Sequence, residues 1–182
     1  SLGNNTVVIG GMAKGSGMIR PDMATMLSFI ACNIRMSESL LPSLVKHVAD
    51  ASFNRITVDG DTSTNDASVI AFTGNSDLPV IENVSQYEYS IVRDALVEVA
   101  QELAQAIVRD GEGATKFVSV QIGGGRTERE CLKVAYSIAE SPLVKTAIFA
   151  EDANWGRFCM AVGKAGVSDL ETDKITLYLD DL

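Results

Sequence analysis

Apolar residues recur along this chain with two different periods. From residue 39, Leu41, Leu44, Val45, Val48 and Ala49 return every three to four positions, which lines one face of a helix, and Pro42 suits a first turn. This spacing predicts an amphipathic helix ending near Asn54. A longer stripe, Val92, Ala95, Leu96, Val99, Leu103 and Ile107, follows Ser85 and Glu88, whose spacing is that of a capping box, and predicts a helix up to Gly111. Thr127 and Glu130 repeat the capping-box spacing ahead of Leu132, Ala135, Ile138 and Ala139, so a third helix is expected to about Ser141.

The second pattern is the short apolar run rich in strand-forming residues. Runs at 6–11 (TVVIGG) and 26–31 (MLSFIA) flank the Gly-rich turn AKGSGM, which predicts strand, loop, strand. Further strands are expected at 68–72, 117–122, 145–149 and 175–179. The mixture predicts an α+β fold of mixed or antiparallel sheet layers covered by helices, in one domain over 1–182. The closing ITLYLDDL stops directly after an expected strand, a hint of truncation.

Composition narrows the field. With 182 residues, 46% of them hydrophobic and 21% charged, the chain can bury one substantial core. No apolar run is long enough to span a bilayer, and residues 1–6 have neither a basic region nor an apolar one, so no membrane association and a cytoplasmic location are expected, unless a targeting segment was removed upstream. A net charge of −9 without a Lys/Arg cluster argues against a nucleic-acid partner, since phosphate binding is driven by clustered cations. An anionic ligand would need a few placed cations. The cysteines, Cys32, Cys131 and Cys159, are widely spaced without a CxxC, which suggests buried free thiols rather than disulfides or zinc.

Several strings invite chemistry. GGMAKGSG has the glycine spacing of a phosphate loop at Gly10 and Gly15, but Ser16 stands where the lysine is required. A turn that brings backbone close to a small substrate fits better. Lys14 in that turn is either a point charge for a carboxylate or, as is commoner locally, a solvated lysine. DGDTSTND, residues 59–66, alternates oxygen-bearing side chains like the start of a calcium loop, but Thr64 replaces the turn glycine and Ile70 the bidentate glutamate, so no metal is expected. Its short polar side chains suit either bonding to the backbone of a tight structure near a site or an ordinary polar loop. DGEGATK sets Glu112 between two glycines, as a capping loop or as a substrate-facing carboxylate. In EDANWGR, Trp155 and Arg157 flank Gly156 in a compact turn. The lone His47 lies in the first amphipathic helix, away from a catalytic role.

Thr25, in MATML, is a poor nucleophile without a base, and no histidine is near in sequence. A free α-amino group on the same residue would serve. Its ordinary pKa of about 7.7 to 8.0 leaves part of it neutral at physiological pH, unlike a lysine near about 10.4. That amine appears only if the bond between Ala24 and Thr25 is cut, and attack of the Thr25 hydroxyl on the Ala24 carbonyl would cut it.

Taken in order, AKGSGMIRPDMATML, VDGDTSTND, DGEGATKF and SPLVKTAIFAEDANWGR resemble the signatures of the bifunctional ornithine acetyltransferase and glutamate N-acetyltransferase family of arginine biosynthesis, over nearly the whole chain. The resemblance implies an αββα-like sandwich and cleavage between Ala24 and Thr25. Residues 1–24 would then end the α chain and 25–182 form most of the β chain. It implies that Thr25 is the nucleophile and that Lys14, Thr25 and Glu112 bind substrate. The family transfers acetyl from N-acetylornithine to glutamate through an acetyl-threonine, releasing ornithine and N-acetylglutamate. It needs no cofactor, many members accept acetyl-CoA as donor, and a heterotetramer of two α and two β chains is implied.

The family's Thr-Gly oxyanion pair, a further substrate threonine and a C-terminal Asn and Thr lie outside this sequence, and Ala31-Cys32-Asn33 replaces the Thr-Asp-Ala often seen there. The chain therefore resembles a central fragment, incomplete as a catalyst by itself, and its continuous sequence is that of the uncleaved form. Two other readings share its features: a self-cleaving β-peptidyl aminopeptidase that passes the acyl group to water, and a non-catalytic ligand-binding domain of the same fold.

Overall fold

A computed structural model describes residues 6–15, 17–21, 26–64 and 67–179. The chain divides into two compact units, residues 1–114 and 115–182.

The first unit is built on a sheet of three strands in the order β1 (Ile9–Lys14), β2 (Leu27–Cys32), β3 (Ala67–Phe72). β1 and β2 are antiparallel, with Lys14 opposite Leu27 and Ile9 opposite Cys32; β2 and β3 are parallel, with Leu27 opposite Ala67. The sheet is therefore mixed. β1 starts later than the apolar run suggests, because residues before it are held by a side chain: Asn33 Oδ1 accepts from the Val8 N–H, and Asn33 Nδ2 donates to the Thr6 carbonyl. The Gly-rich turn accordingly begins at Gly15.

One face of the sheet is covered. Along β2, Ser28, Ile30 and Cys32 are buried while Leu27, Phe29 and Ala31 are exposed, the alternation of a strand with one dry face. The dry face belongs to the core that includes Leu44 and Val48 of α1 (Leu41–Ala51) and Val92, Leu96, Ala100, Ala104 and Ile107 of α2 (Tyr87–Arg109). Pro42 opens α1, and a 3-10 turn at Phe53–Arg55 follows it, so the helical stretch ends where the pattern indicates. α2 matches the long stripe but not its capping box. Gln86 is the cap residue, its Oε1 accepting from the Glu82 and Asn83 N–H groups, while the Ser85 hydroxyl bonds to Asn83 instead. The other face carries a row formed by Met12, Phe29 and Val69 in register, 70%, 52% and 45% exposed. The described residues of this unit form one sheet layer with helices on one side, and the α+β class holds.

The second unit is helical: α3 (Glu128–Ala139), α4 (Pro142–Phe149) and α5 (Trp155–Gly163) close on Val134, Ile138, Val144, Phe158, Ala161 and Val162. Thr127 caps α3 as its spacing predicts, its hydroxyl accepting from the Glu130 N–H at 3.2 Å. The strand expected at 145–149 is instead a helix. Its apolar run has strand-like composition, but Ser141 is buried as N-cap and Pro142 occupies the first turn, and those two residues commit the segment to α4. Residues 117–122 and 175–179 form no ladder among the described residues. Their apolar residues alternate in sequence, but in the structure 117–119 and 175–178 are exposed and only Val120, Ile122 and Leu179 pack on the helices; no neighbouring strand is present among the described residues. All three cysteines are free, as expected, but only Cys32 is buried; Cys131 is half-buried and Cys159 exposed. Burial pushes the Cys32 thiol up, which keeps it protonated.

Candidate functional site

The first unit carries described parts of three of the four signature strings at one end, the DGEGATKF string continuing into the second unit. Lys14 is the last residue of β1, exposed, and opposite the first residue of β2. The next residue must be glycine. A Cβ on Gly15 would come within 2.7 Å of Ile107 Cγ2 and 2.9 Å of Ile19 Cδ1, so the turn after Lys14 lies directly on the last turns of α2.

From there the chain turns through Met18, which adopts a left-handed φ of 59°, and delivers Ile19, whose side chain is 1% exposed. Both polar groups of the Ile19 backbone are taken up by the DGDTSTND region. The Ile19 N–H donates to Asp59 Oδ1 at 2.8 Å, and the Val58 N–H donates to the Ile19 carbonyl at 2.7 Å. Thr62 Oγ1 then donates to the Arg20 carbonyl at 3.1 Å. The polar string thus takes the first of its two readings: it binds backbone. Asp59 is occupied by the Ile19 and Asp61 N–H groups, and no group of metal-ligating side chains occurs among the described residues.

The chain re-emerges at Met26, whose carbonyl accepts from the Ala67 N–H at 3.1 Å. Ser28, fully buried one residue into β2, is satisfied by the hydroxyl of its register partner Ser68, which is itself exposed, at 2.7 Å. Ala24 and Thr25, the cleavage and nucleophile residues of the sequence analysis, lie outside the described residues, as do Ser16 of the Gly-rich turn and Asn65 and Asp66 of the polar string.

Glu112 stands exposed in the loop that ends α2. The left-handed residue of that loop is Gly113 (φ 71°), and the Ala114 N–H returns to the Gly111 carbonyl at 2.9 Å. Gly111 is needed for closeness, since a Cβ there would meet Val58 Cγ1 at 3.1 Å. Val58 is therefore the meeting point of the Glu112 loop and the Ile19 segment, while Ile107 supports the Lys14 turn. Lys14 and Glu112 are carried at the same end of the unit by neighbouring parts of one scaffold.

His47 is exposed on α1, apart from these contacts. A small depression of about 200 Å³ is lined by Val7, Ile9, Val92 and Val99 with Glu98 at its edge; it lies at the far end of β1 from Lys14 and has the lining of a packing defect. In the second unit, Lys116 ties the end of the DGEGATK string to Glu151 at 2.8 Å, and Arg157 donates to the Leu143 carbonyl at 3.0 Å and to Thr146 Oγ1 at 2.8 Å. Trp155 begins α5 and is 69% exposed.

Against known families, residues 1–182 match the ArgJ family along their whole length. The chain belongs to the ArgJ family. Among curated ArgJ relatives, the arginine biosynthesis bifunctional protein ArgJ of Pseudomonas syringae pv. tomato is 52% identical over 174 residues, and that of Psychrobacter arcticus 55% over 174 residues. Each alignment covers 96% of this chain and 43% of the relative, so the chain spans less than half of the length of these ArgJ proteins. The crystal structure of the arginine biosynthesis bifunctional protein ArgJ from Bacillus halodurans superposes with a TM-score of 0.74 at 40% identity, covering 78% of this chain and 66% of that one. The resemblance read from the four strings is thereby a membership, and the fold is that of an ArgJ protein.

The sequence reading flagged the string holding Asp59 and Thr62 as backbone-binding but did not single out Ile19 and Val58, the residues on which it closes. The signal was present in part: a run of short oxygen-bearing side chains, which seeks backbone donors. Which backbone it would bind could not be read from one sequence.

Proposed function

We propose that this chain is the central part of an acetyltransferase that cuts itself between Ala24 and Thr25 and then moves an acetyl group from N-acetylornithine to glutamate on the Thr25 hydroxyl. Residues 1–24 end its α chain and 25–182 form most of its β chain. In the cut, the Thr25 Oγ–H adds to the Ala24 carbonyl carbon. The Oγ–C bond forms as the C–N bond breaks, and the proton passes to the departing nitrogen. Water then splits the resulting ester into the Ala24 carboxylate and a restored Thr25 hydroxyl beside a new α-amine.

That amine, while neutral, takes the hydroxyl proton as Thr25 Oγ attacks the acetyl donor, and ornithine leaves; glutamate enters and removes the acetyl group as N-acetylglutamate. Lys14 holds the α-carboxylate that both amino acids share, and Glu112 lies on the substrate side. No cofactor is required, because the threonine carries the group, and acetyl-CoA serves as an alternative donor. Oxyanion donors come from the part of the precursor that precedes this chain. Their loss typically costs on the order of 100 to 1000-fold in rate, so the chain alone is nearly inert. Two α and two β chains assemble in the cytoplasm.

One observation carries this reading: Lys14 pairs with Leu27, two residues after Thr25 in the chain, so a cation stands at the end of the sheet where the proposed nucleophile leads into β2. Among the described residues no helix is long and apolar enough to cross a membrane. The test is the intact mass of the full-length protein. Two chains meeting at Ala24 and Thr25, and a single chain from Thr25→Ala, support the reading. Two chains from Thr25→Ala would remove it.

A further inference from the structure

Lys14 and Glu112 stand on separate supports that meet at Val58. The Lys14 turn rests on α2 and on Ile19, since the Cβ position of Gly15 lies 2.7 Å from Ile107 Cγ2 and 2.9 Å from Ile19 Cδ1. The Glu112 loop leaves the end of the same helix, beyond Arg109. At Gly111 the Cβ position lies 3.1 Å from Val58 Cγ1 and 3.5 Å from Val58 Cγ2. Val58 also holds the other support, because its N–H donates to the Ile19 carbonyl at 2.7 Å. Its side chain therefore seats the Glu112 loop while its backbone holds the segment under the Lys14 turn.

The glycine at 111 marks this contact. Ending α2 requires only Gly113, which supplies the left-handed residue at a φ of 71°. Gly111 is not left-handed, so what requires a glycine there is closeness to Val58 and to the Val108 carbonyl oxygen, also at 3.1 Å. The loop is tied as well: the Gly111 N–H donates to the Val108 carbonyl at 3.2 Å, and the Ala114 N–H to the Gly111 carbonyl at 2.9 Å. Ile19 and Ile107 are buried and Val58 packs on the same core, so both supports belong to one close-packed cluster. A loop that only capped a helix in solvent needs neither the second glycine nor the valine beneath it.

We infer that Val58 is a positioning residue that sets the separation of Lys14 and Glu112, and through it the fit of the amino-acid substrate between them. The inference rests on the substrate roles proposed for these two residues. An amino acid carries charges of both signs, so a cation and an anion can hold it together, but only at a matching separation. Both side chains are exposed, and an exposed ion pair contributes little by itself. Fixed spacing is what makes two such contacts count, since rigid supports give up no freedom when the substrate enters. Val58 reaches the two charges through residues 19 and 111, so it acts by placement.

The experiment measures kcat and KM for N-acetylornithine with full-length, cleaved wild type, Gly111→Ala, Val58→Ala, the double variant and Glu112→Gln, with the thermal midpoint of each. Gly111→Ala is expected to raise KM about 10-fold while kcat changes less than about 3-fold, because a displaced charge weakens binding without touching the reacting groups. Adding Val58→Ala vacates space for the new methyl, and the double variant is expected to return KM to within about 3-fold of wild type. A loss of stability alone lowers the active fraction, and so kcat, and leaves KM unchanged. If Gly111→Ala does not fold, Val58→Ala decides, with a rise in KM of about 3-fold expected from the loosened seat. Folded Gly111→Ala and Val58→Ala enzymes with wild-type KM, beside a Glu112→Gln whose KM is raised, overturn this inference and leave the role of Glu112 standing. A raised KM in Gly111→Ala that the double variant fails to restore does the same. Wild-type KM in Glu112→Gln, or no transfer by wild type, overturns both.

Discussion

Lys116 Nζ donates to Glu151 Oε1 at 2.8 Å and to the Ile148 carbonyl at 2.9 Å, joining two signature strings within the second unit. That carbonyl belongs to the last turn of α4 and also accepts from the Glu151 N–H at 3.2 Å, so the ammonium adds a second donor at the helix end and neutralises the acid beside it. Glu151 sits there with a left-handed φ of 56°.

A pH dependence follows. The hydrogen bond from Lys116, and then its charge, hold the Glu151 carboxyl below the ordinary glutamate range. A depressed acid stabilises the folded state above its unfolded pKa, and that contribution is lost as pH falls through the folded value. With Glu151 at 80% exposure the effect is small and screened by salt. Between about pH 6 and about pH 3, the wild-type thermal midpoint is expected to fall slightly more than that of Glu151→Gln. Equal slopes would dismiss the pair as a stabilising element.

Gly15→Ala should be costly in spite of its small size. The added methyl meets Ile107 Cγ2 at 2.7 Å and Ile19 Cδ1 at 2.9 Å, and the first of these is a branch methyl on a helix that cannot move aside. Overpacking of this kind costs about 1 to 3 kcal/mol, to be read from urea unfolding of the full-length protein. Gly10→Ala, where nothing lies within 4 Å of the added Cβ, is the control and should change stability far less. Equal losses at both positions would show that the close approach at Gly15 is not what requires a glycine.

How much of this was legible in the sequence depends on whether an element is decided locally. The α2 stripe and the Thr127 cap are local, and both were read correctly. The segment 145–149 was also locally decided, but by Ser141 and Pro142 just outside it, while the run itself has the composition of a strand. Residues 117–122 and 175–179 show the opposite failure. Their alternation is genuine, but a strand exists only with a partner, and no property of a single run reveals one. The site divides in the same way. Lys14, Thr25 and Glu112 came from the order of four strings, whereas the grip of Asp59 on Ile19 spans 40 residues and needed coordinates.

Lys14→Ala in the full-length, cleaved enzyme should weaken substrate binding and spare self-cleavage, because the role proposed for the lysine is to hold the substrate carboxylate and not to take part in the cut. Loss of one charge-assisted contact costs roughly 1.5 to 3 kcal/mol, about 10 to 150-fold in KM. The rise should appear for both N-acetylornithine and glutamate. An unchanged KM for both would take Lys14 out of the site.

The central claim is that Thr25 carries the acetyl group between two amino acids, and the mass of the β chain tests it most directly. Complete, cleaved enzyme mixed with N-acetylornithine and no glutamate should gain one acetyl group, mapped to Thr25, and should lose it when glutamate is added; steady-state rates should give the parallel double-reciprocal lines of a ping-pong scheme. Thr25→Ser should keep some of this activity at a reduced rate, since it retains the hydroxyl and drops the methyl that stiffens χ1. An adduct on any other residue, or intersecting lines from a ternary complex, would contradict the account.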